Sequence, residues 1–446
     1  MTKDRPADTS PGQPAGYLAV LTTPGAPRPA VWSLVGRFGF AGSNLALLTY
    51  VQAVTGSFAF AGAMMALSLA GTALTGPVQG RLIDRFGPRR PLLALSGAHC
   101  AVSALLVLVV SRPHGSMTHT ALLGAAVLAQ SATQPMVAVA SRAMWPRLLP
   151  PGPRRETAFS YETVTTEACY LLAPALSVTL ATLLWPGTSL VCTVVLVAGA
   201  SLGFATAPVV RAWSDAPHQD TSPPPGRPEE GTTAPDRHVV DRRPVLRLPG
   251  MPPLLVAALG FGVGVGFVTV TTTAAADALD ASRYTGLLLA AWSVSSVLGG
   301  LVYNRRPWPR SPAVRLPLLT AAFGLLLLPA LAGGVPGIAV ALVLSGATLA
   351  PQLTAQTILL DRLVPTSRIT EAYSWVTTLV AAGNAAGQAG SGVLVERFGH
   401  RTTFLICTCL ILVFAALVGS RRRHMAGAPD PLEPSAETQK SAHPAR

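Results

Sequence analysis

Apolar residues run along this chain in stretches of about 20 to 25, each closed by charged residues, Pro or Gly, and that length crosses a hydrocarbon layer of roughly 30 Å. Six runs fall in the first half, at 30–54, 57–79, 91–111, 118–141, 158–184 and 187–210. Six more fall in the second, at 250–276, 283–303, 314–333, 335–359, 370–395 and 402–420. The pattern predicts an all-α membrane protein of twelve transmembrane helices. Between the sets lies 211–249, where Ser222-Pro-Pro-Pro-Gly-Arg-Pro-Glu-Glu230 is too polar for lipid and too poor in apolar residues to build a core. It is expected to be a cytoplasmic linker. Residues 1–29 and 421–446 read as disordered cytoplasmic tails, which leaves six-helix bundles at 30–210 and 250–420.

Composition agrees with that division. Half of the 446 residues are hydrophobic and only 12 % are charged, against roughly 25 % in soluble proteins. The mean hydropathy is +0.45, and a soluble globule is excluded. A net charge of +13 would suit nucleic acid, but the arginines sit in short loops and tails beside the apolar runs. Inner loops would carry Arg81, Arg85, Arg89, Arg90, Arg142, Arg147, Arg154, Arg155, Arg305, Arg306, Arg310, Arg315, Arg362 and Arg368. Outer loops would carry Arg112, Arg283, Arg397 and Arg401. That bias predicts both termini in the cytoplasm and no nucleic-acid partner. The five cysteines all fall in apolar runs, so no extracellular disulfide framework is expected. The first 28 residues lack the marks of a removable signal peptide, and the first span is expected to do the targeting. Richness in Ala, Arg, Gly and Pro, with Lys3 and Lys440 the only lysines, points to a GC-rich bacterial genome and so to an inner cell membrane.

The two halves resemble each other. Ala158-Phe-Ser-Tyr161 matches Ala372-Tyr-Ser-Trp375 at an offset of 214, and Arg147-Leu-Leu-Pro150 matches Arg362-Leu-Val-Pro365 at 215. Gly80 to Arg85 matches Gly300 to Arg305 at 220. Duplication of an even number of spans gives two bundles of the same orientation, related by an axis along the membrane normal, with a site at mid-membrane between them.

At the inner end of the second run stands Gly80-Arg-Leu-Ile-Asp84-Arg85-Phe-Gly87-Pro-Arg89-Arg90. Gly80 lets two helices approach, Gly87 supplies a permissive turn, and the arginines hold the loop at an anionic surface. Gly, three residues, an acid, a base, one residue, Gly, one residue and two bases is the pattern between helices two and three of the major facilitator superfamily. The chain resembles that family over about 30–420. The resemblance implies two pseudo-symmetric six-helix bundles and transport by alternating access. It also implies that Asp84 latches onto the N-terminus of helix eleven, near Arg368 to Ser374, with Arg142 as a further partner. Simple neutralisation of Asp84 by Arg85 is the alternative. The second copy has Asn304 in place of the acid, so the two latches should be unequal.

Ionisable groups inside a lipid span are expensive and default to functional candidates. Glu162 and Glu167, both in helix five, are the acids clearly inside a predicted span. Five residues at 100° each sets them about 140° apart around the helix, so they should not share one partner. A buried carboxylate can exchange a proton near neutral pH, which makes Glu167 the first proton-coupling candidate and Glu162 the second. A static pair with Arg37, Arg142 or nearby backbone is the alternative for each. Arg37 either snorkels to the surface or faces an anionic group; Asn44 lies on the same face.

Helices one, four, seven and ten line the cavity in the resembled family. Their counterparts here carry Asn44 and Gln52, Gln130 and Gln134, Thr269 and Thr271 to Thr273, and Gln352 and Gln356; Asn384 and Gln388 add polarity to a glycine-rich helix eleven. Neutral polar groups on apolar walls suit an amphipathic organic molecule, whereas interhelical hydrogen bonds are the alternative use. Trp32, Trp145, Trp185, Trp308 and Trp375 read as headgroup anchors. Ala173-Pro174 is a poor match to the glycine-rich antiporter signature of related drug exporters.

No phosphate-binding loop, metal-ligand spacing or nucleophile-base grouping appears, so no enzyme, metal or cofactor is expected. His99 reads as a packing residue. The expectation is a monomeric secondary transporter that exports an antibiotic, drug or metabolite against entering protons. Import of a sugar, amino acid or organic acid, and a non-transporting sensor of the same shape, are the rivals.

Overall fold

Every predicted apolar run is helical in the computed structural model, which describes residues 16–56, 58–110, 117–215, 244–305, 308 and 311–425. The first half holds α1 (Tyr17–Leu21), α2 (Pro27–Thr55), α3 (Phe58–Phe86), α4 (Arg89–Val110), α5 (Met117–Thr133), α6 (Val137–Leu148), α7 (Pro153–Leu183), α8 (Thr188–Ala205) and α9 (Pro208–Asp215). The second holds α10 (Met251–Ala278), α11 (Thr285–Arg305), α12 (Pro312–Leu325), α13 (Gly334–Gly346), α14 (Leu349–Leu363), α15 (Ile369–Ser420) and α16 (Arg422–Met425).

Nine stretches among the described residues are long and apolar enough to cross a membrane. The longest, Thr366–Ser420, contains the predicted helices eleven and twelve, separated by a break at Gly399 (φ 74°, ψ 168°). The spans absent from the nine are α2 and α7, the helices that carry Arg37, Glu162 and Glu167. Lipid-facing positions are apolar and exposed, as at Leu108 (62 %), Val195 (62 %) and Leu287 (67 %), an arrangement that water would penalise and hydrocarbon does not.

Several predicted spans are broken, two of them near mid-helix. Helix four stops at Thr133 and restarts at Val137, because Pro135 lacks an amide hydrogen. Gln79 of α3 repairs the gap: its amide nitrogen donates to the carbonyls of Ala132 (3.2 Å) and Gln134 (3.0 Å), and its oxygen accepts from Met136 N (3.3 Å). Helix ten is interrupted at Ala347 and Thr348, where Thr348 Oγ1 donates to Ser345 O at 2.7 Å.

The second bundle is built on close packing of α10 against α15. A Cβ on Gly383 or Gly387 would collide with the carbonyls of Leu259 or Val263, and one on Gly262 or Gly266 with those of Val380 or Asn384. Small residues four apart on both helices thus bring the two backbones into contact. The halves meet where α3 crosses α15 and where α7 crosses α11 and α14.

The tail and linker boundaries differ from expectation. Residues 17–21 are helical, not disordered: Val20 is fully buried and Tyr17 Oη lies 2.9 Å from Ser160 Oγ of α7. The linker opens as the helix α9, with Val210 fully buried, and closes with the ordered residues Val245 and Leu248 in the core beneath α10. Apolar side chains at these points recruit the polar segments to the bundle ends. The second tail begins with α16, whose Met425 is buried. The rest of the predicted linker and tails lies outside the described residues.

Candidate functional site

At the face where the linker attaches, the two bundles are tied together by polar contacts. α15 begins at Ile369, so its first amides lack intrahelical acceptors. The carboxylate of Asp84, at the end of α3, accepts from Thr370 N (3.3 Å) and Glu371 N (2.8 Å). Negative charge at a helix N-terminus is favourable. This contact needs close approach, and Gly80 supplies it: a Cβ there would lie 2.5 Å from Ser374 Oγ and 2.8 Å from the Thr370 carbonyl. Gly87 turns the chain at φ +71°, with the backbone of Ser214 against it. Arg89 N donates to Ser214 Oγ at 3.2 Å, Arg85 stacks on Phe86, and Arg90 is exposed.

Three ion pairs cross the same face. Arg81 Nε meets Glu371 Oε1 at 2.7 Å, Arg155 Nη1 meets Asp361 Oδ2 at 2.9 Å, and Arg362 Nη2 meets Glu156 Oε1 at 3.2 Å. Only the Arg155–Asp361 pair is shielded, with side-chain exposures of 11 % and 10 %; the exposed pairs contribute about 0–1 kcal/mol each. Arg147 Nη2 donates to Thr366 O at 2.9 Å while its guanidinium stacks on Trp213 of α9 at 4.0 Å. The matching position of the second half is Asn304 on α11, a neutral side chain. Arg142, expected in an inner loop beside Asp84, lies instead within α6 and in electrostatic range of Glu167. The Asp84 carboxylate faces Arg147.

Inside the first bundle, Glu162 and Arg37 form a direct ion pair with side-chain exposures of 0 % and 2 %. The same carboxylate accepts from Ser141 Oγ (2.8 Å) and Trp145 Nε1 (2.9 Å), both on α6, and Arg37 Nη1 donates to Thr165 Oγ1 at 2.8 Å. Trp145 is fully buried and hence no headgroup anchor. Arg37 does not snorkel to the surface. This network joins α2, α6 and α7 within one half.

Glu167, a turn and a half further along α7, leaves that network. Its Oε2 accepts from Ser296 Oγ of α11 at 3.2 Å, a contact between the halves. Arg142 and Tyr170 lie in electrostatic range. Counting about 1.5 Å per residue from Pro153 places Glu167 roughly 20 Å along α7, near the middle of that helix.

The neutral cavity candidates divide. Gln134 Nε2 donates to Ser43 Oγ (3.0 Å), the backbone carbonyl of buried Gln130 takes the Nδ1 of His99 (3.0 Å), and Gln352 Nε2 donates to Thr320 Oγ1 (3.0 Å). These contacts stitch helices inside one half. Asn384 Oδ1 accepts from exposed Gln388 Nε2 at 2.9 Å, and Asn44 is half-buried. Gln356 differs, since both its amide atoms are buried without a hydrogen-bond partner. Sequence patterns did not single out Ser141, Ser296 or Tyr373. Small or aromatic polar residues in a span carry no signal until the facing helix is known. Among the described residues, no group of three or more His, Cys, Asp or Glu is placed to hold a metal ion.

A family model described as Major Facilitator Superfamily matches residues 31–387. Solved structures of similar shape include the human organic anion transporter TETRAN, at 15 % identity and TM-score 0.65, covering 89 % of this chain and 99 % of that one. A bacterial homologue of the iron transporter ferroportin, in an outward-facing state with soaked iron, gives 14 % identity, TM-score 0.66 and coverage of 90 % and 99 %. The E. coli fucose:proton symporter gives 12 %, 0.62, and 87 % and 98 %. At such identities the likeness is one of fold. Comparison with curated protein sequences finds no match.

Proposed function

The chain belongs to the major facilitator superfamily, a membrane transporter rather than an enzyme, and from that premise we propose that it exports an amphipathic organic compound with Glu167 carrying the coupling proton. The observation that carries this assignment is the Glu167–Ser296 contact across the seam. A carboxylate whose partner lies in the other bundle changes the fit between the halves when it gains or loses a proton, whereas Glu162 titrating inside one bundle would only loosen that bundle. Alternating access then follows as rocking of two rigid halves about the mid-membrane site.

The linker face, which the arginine bias places in the cytoplasm, is the closed one. Asp84 on the α15 N-terminus and the shielded Arg155–Asp361 pair hold it shut, and opening it breaks those contacts. Such closure accords with the outward-facing state of the ferroportin homologue. Both termini would be cytoplasmic, the membrane that of a bacterial cell, and the working unit a monomer.

The test is expression in an efflux-deficient host challenged with a broad panel of toxic amphipathic compounds. Wild type should protect against some of them and Glu167→Gln should not. Sensitivity equal to that of an empty vector across the panel overturns export, and uptake of labelled sugar, amino acid or organic acid into energised vesicles would replace it with import. Protection by Glu167→Gln equal to wild type would remove the proton role.

A further inference from the structure

Two side chains at the seam have no use in the cycle described so far. Arg142 on α6 and Tyr373 on α15 approach from opposite halves: Tyr373 packs in one apolar cluster with Val139 and Ala143 of α6, and its hydroxyl lies in electrostatic range of the Arg142 guanidinium. Arg142 Nε and Tyr373 Oη are both buried without a hydrogen-bond partner. A folded protein rarely leaves buried donors unused, and two on facing walls call for a guest that accepts hydrogen bonds. Tyr170 is 52 % exposed although it stands in range of both Arg142 and Glu167.

Charge balance decides what kind of guest. The charged and titratable groups facing Arg142 are Glu167 and Tyr170 on α7, Tyr373 on α15, and Arg37 on α2, and those facing Tyr373 are Arg142 with Asp361 of α14 and Arg155 of α7, which pair with each other. Arg37 is already neutralised by Glu162. Glu167 is therefore what balances Arg142, and Ser296 is the hydrogen-bond donor to it from α11. With Glu167 ionised the locus is neutral; with Glu167 protonated it bears one uncompensated positive charge. The planar guanidinium fork suits a carboxylate, and the Tyr373 hydroxyl can add a second donor.

We propose that the transported compound is an organic monoanion whose carboxylate seats on Arg142 and Tyr373 beside Glu167, which takes up a proton as the anion binds. Two anionic groups competing for one guanidinium disfavour each other, so binding of one favours protonation of the other. The anion site rests on Glu167 being the proton site, and it sets the sense of coupling. One proton crosses with one anion in an electroneutral step, so the compound leaves only where its own outward gradient, as for a compound made inside the cell, exceeds the inward proton gradient.

The purified full-length protein in nanodiscs, weakly buffered near neutral pH, is titrated with naphthoate, naphthamide and naphthylmethylamine, which share a ring system and differ in head-group charge. Calorimetry reads binding and an electrode reads protons. Naphthoate should bind about tenfold tighter than the other two and take up about one proton per site. Arg142→Gln should lose about tenfold in naphthoate affinity together with the proton uptake, and Glu167→Gln should bind naphthoate without proton uptake. If Arg142→Gln does not fold, Tyr373→Phe carries the same arm with a loss of about threefold. Tightest binding by the amine, equal binding of all three probes, no binding by any at millimolar concentration, or unchanged naphthoate binding by Arg142→Gln each overturns the anion site. Those outcomes with efflux still lost in Glu167→Gln remove the anion and leave the exporter. Naphthoate binding as expected with no efflux at all removes the exporter and leaves a proton-linked anion site.

Discussion

Glu162 and Glu167 are the same residue type, five positions apart on one helix, and the fold uses them in opposite ways. Glu162 is enclosed by Arg37, Ser141 and Trp145, all from its own bundle. Glu167 reaches out of that bundle to Ser296 and stands in range of Arg142, which keeps an unpaired nitrogen. The contrast teaches that an acid inside a membrane protein is not functional merely by being there. A carboxylate saturated by donors on elements that move together is a rivet; one shared across a surface that opens and closes is a sensor of that movement.

The largest stability effect should come from breaking the rivet. Glu162→Gln leaves Arg37 charged, buried and without its counter-ion, and should cost about 3–5 kcal/mol, read as a fall in the unfolding temperature of the detergent-solubilised protein. Arg37→Met combined with Glu162→Leu should recover most of the loss. If the double replacement is as unstable as the single one, the pair has a role beyond holding α2 to α7.

Next in size is the latch. Asp84→Asn replaces a charge-assisted pair of hydrogen bonds by at most one neutral bond and should weaken closure by about 1–3 kcal/mol. A cysteine at Thr370, now buried, should then react faster with a water-soluble maleimide than it does beside Asp84. Unchanged reactivity would mean that the Arg155–Asp361 pair alone keeps the face shut.

Glu167→Gln should cost less stability than Glu162→Gln, because among the described residues Glu167 accepts a hydrogen bond from Ser296 alone and touches no guanidinium directly, yet it should flatten the pH dependence of transport. A large stability loss here would erase the distinction between the two acids. Smallest of all, Asn304→Asp should restore a charge near the start of α7 and favour closure by about 0.3–1 kcal/mol, seen as slower maleimide labelling at the linker face.

Much of this was legible in the sequence because its cause is local. Apolar run length predicted the long helices among the described residues, and the resemblance carried by Gly80, Asp84 and Gly87 implied the contact with the start of α15. The run at 118–141 read as one helix; the structure breaks it at Pro135, and nothing in the sequence named Gln79 as the residue that repairs it. Trp145 looked like an interfacial anchor from its place near a span end; its indole instead completes the shell of Glu162. Arg142 looked like an orientation signal in a loop and lies within the bundle seam.

By itself, the sequence determined that the chain crosses a membrane many times, that short motifs recur between its halves, and that two acids and one arginine fall within apolar runs. Those properties depend on run length, repetition and the cost of charge in lipid, all of which are written along one dimension. Which acid is paired at rest, and which faces the other half, was decided only by the tertiary structure. A helix presents its side chains all round, and the identity of each neighbour depends on how α6, α11 and α15 pack against it.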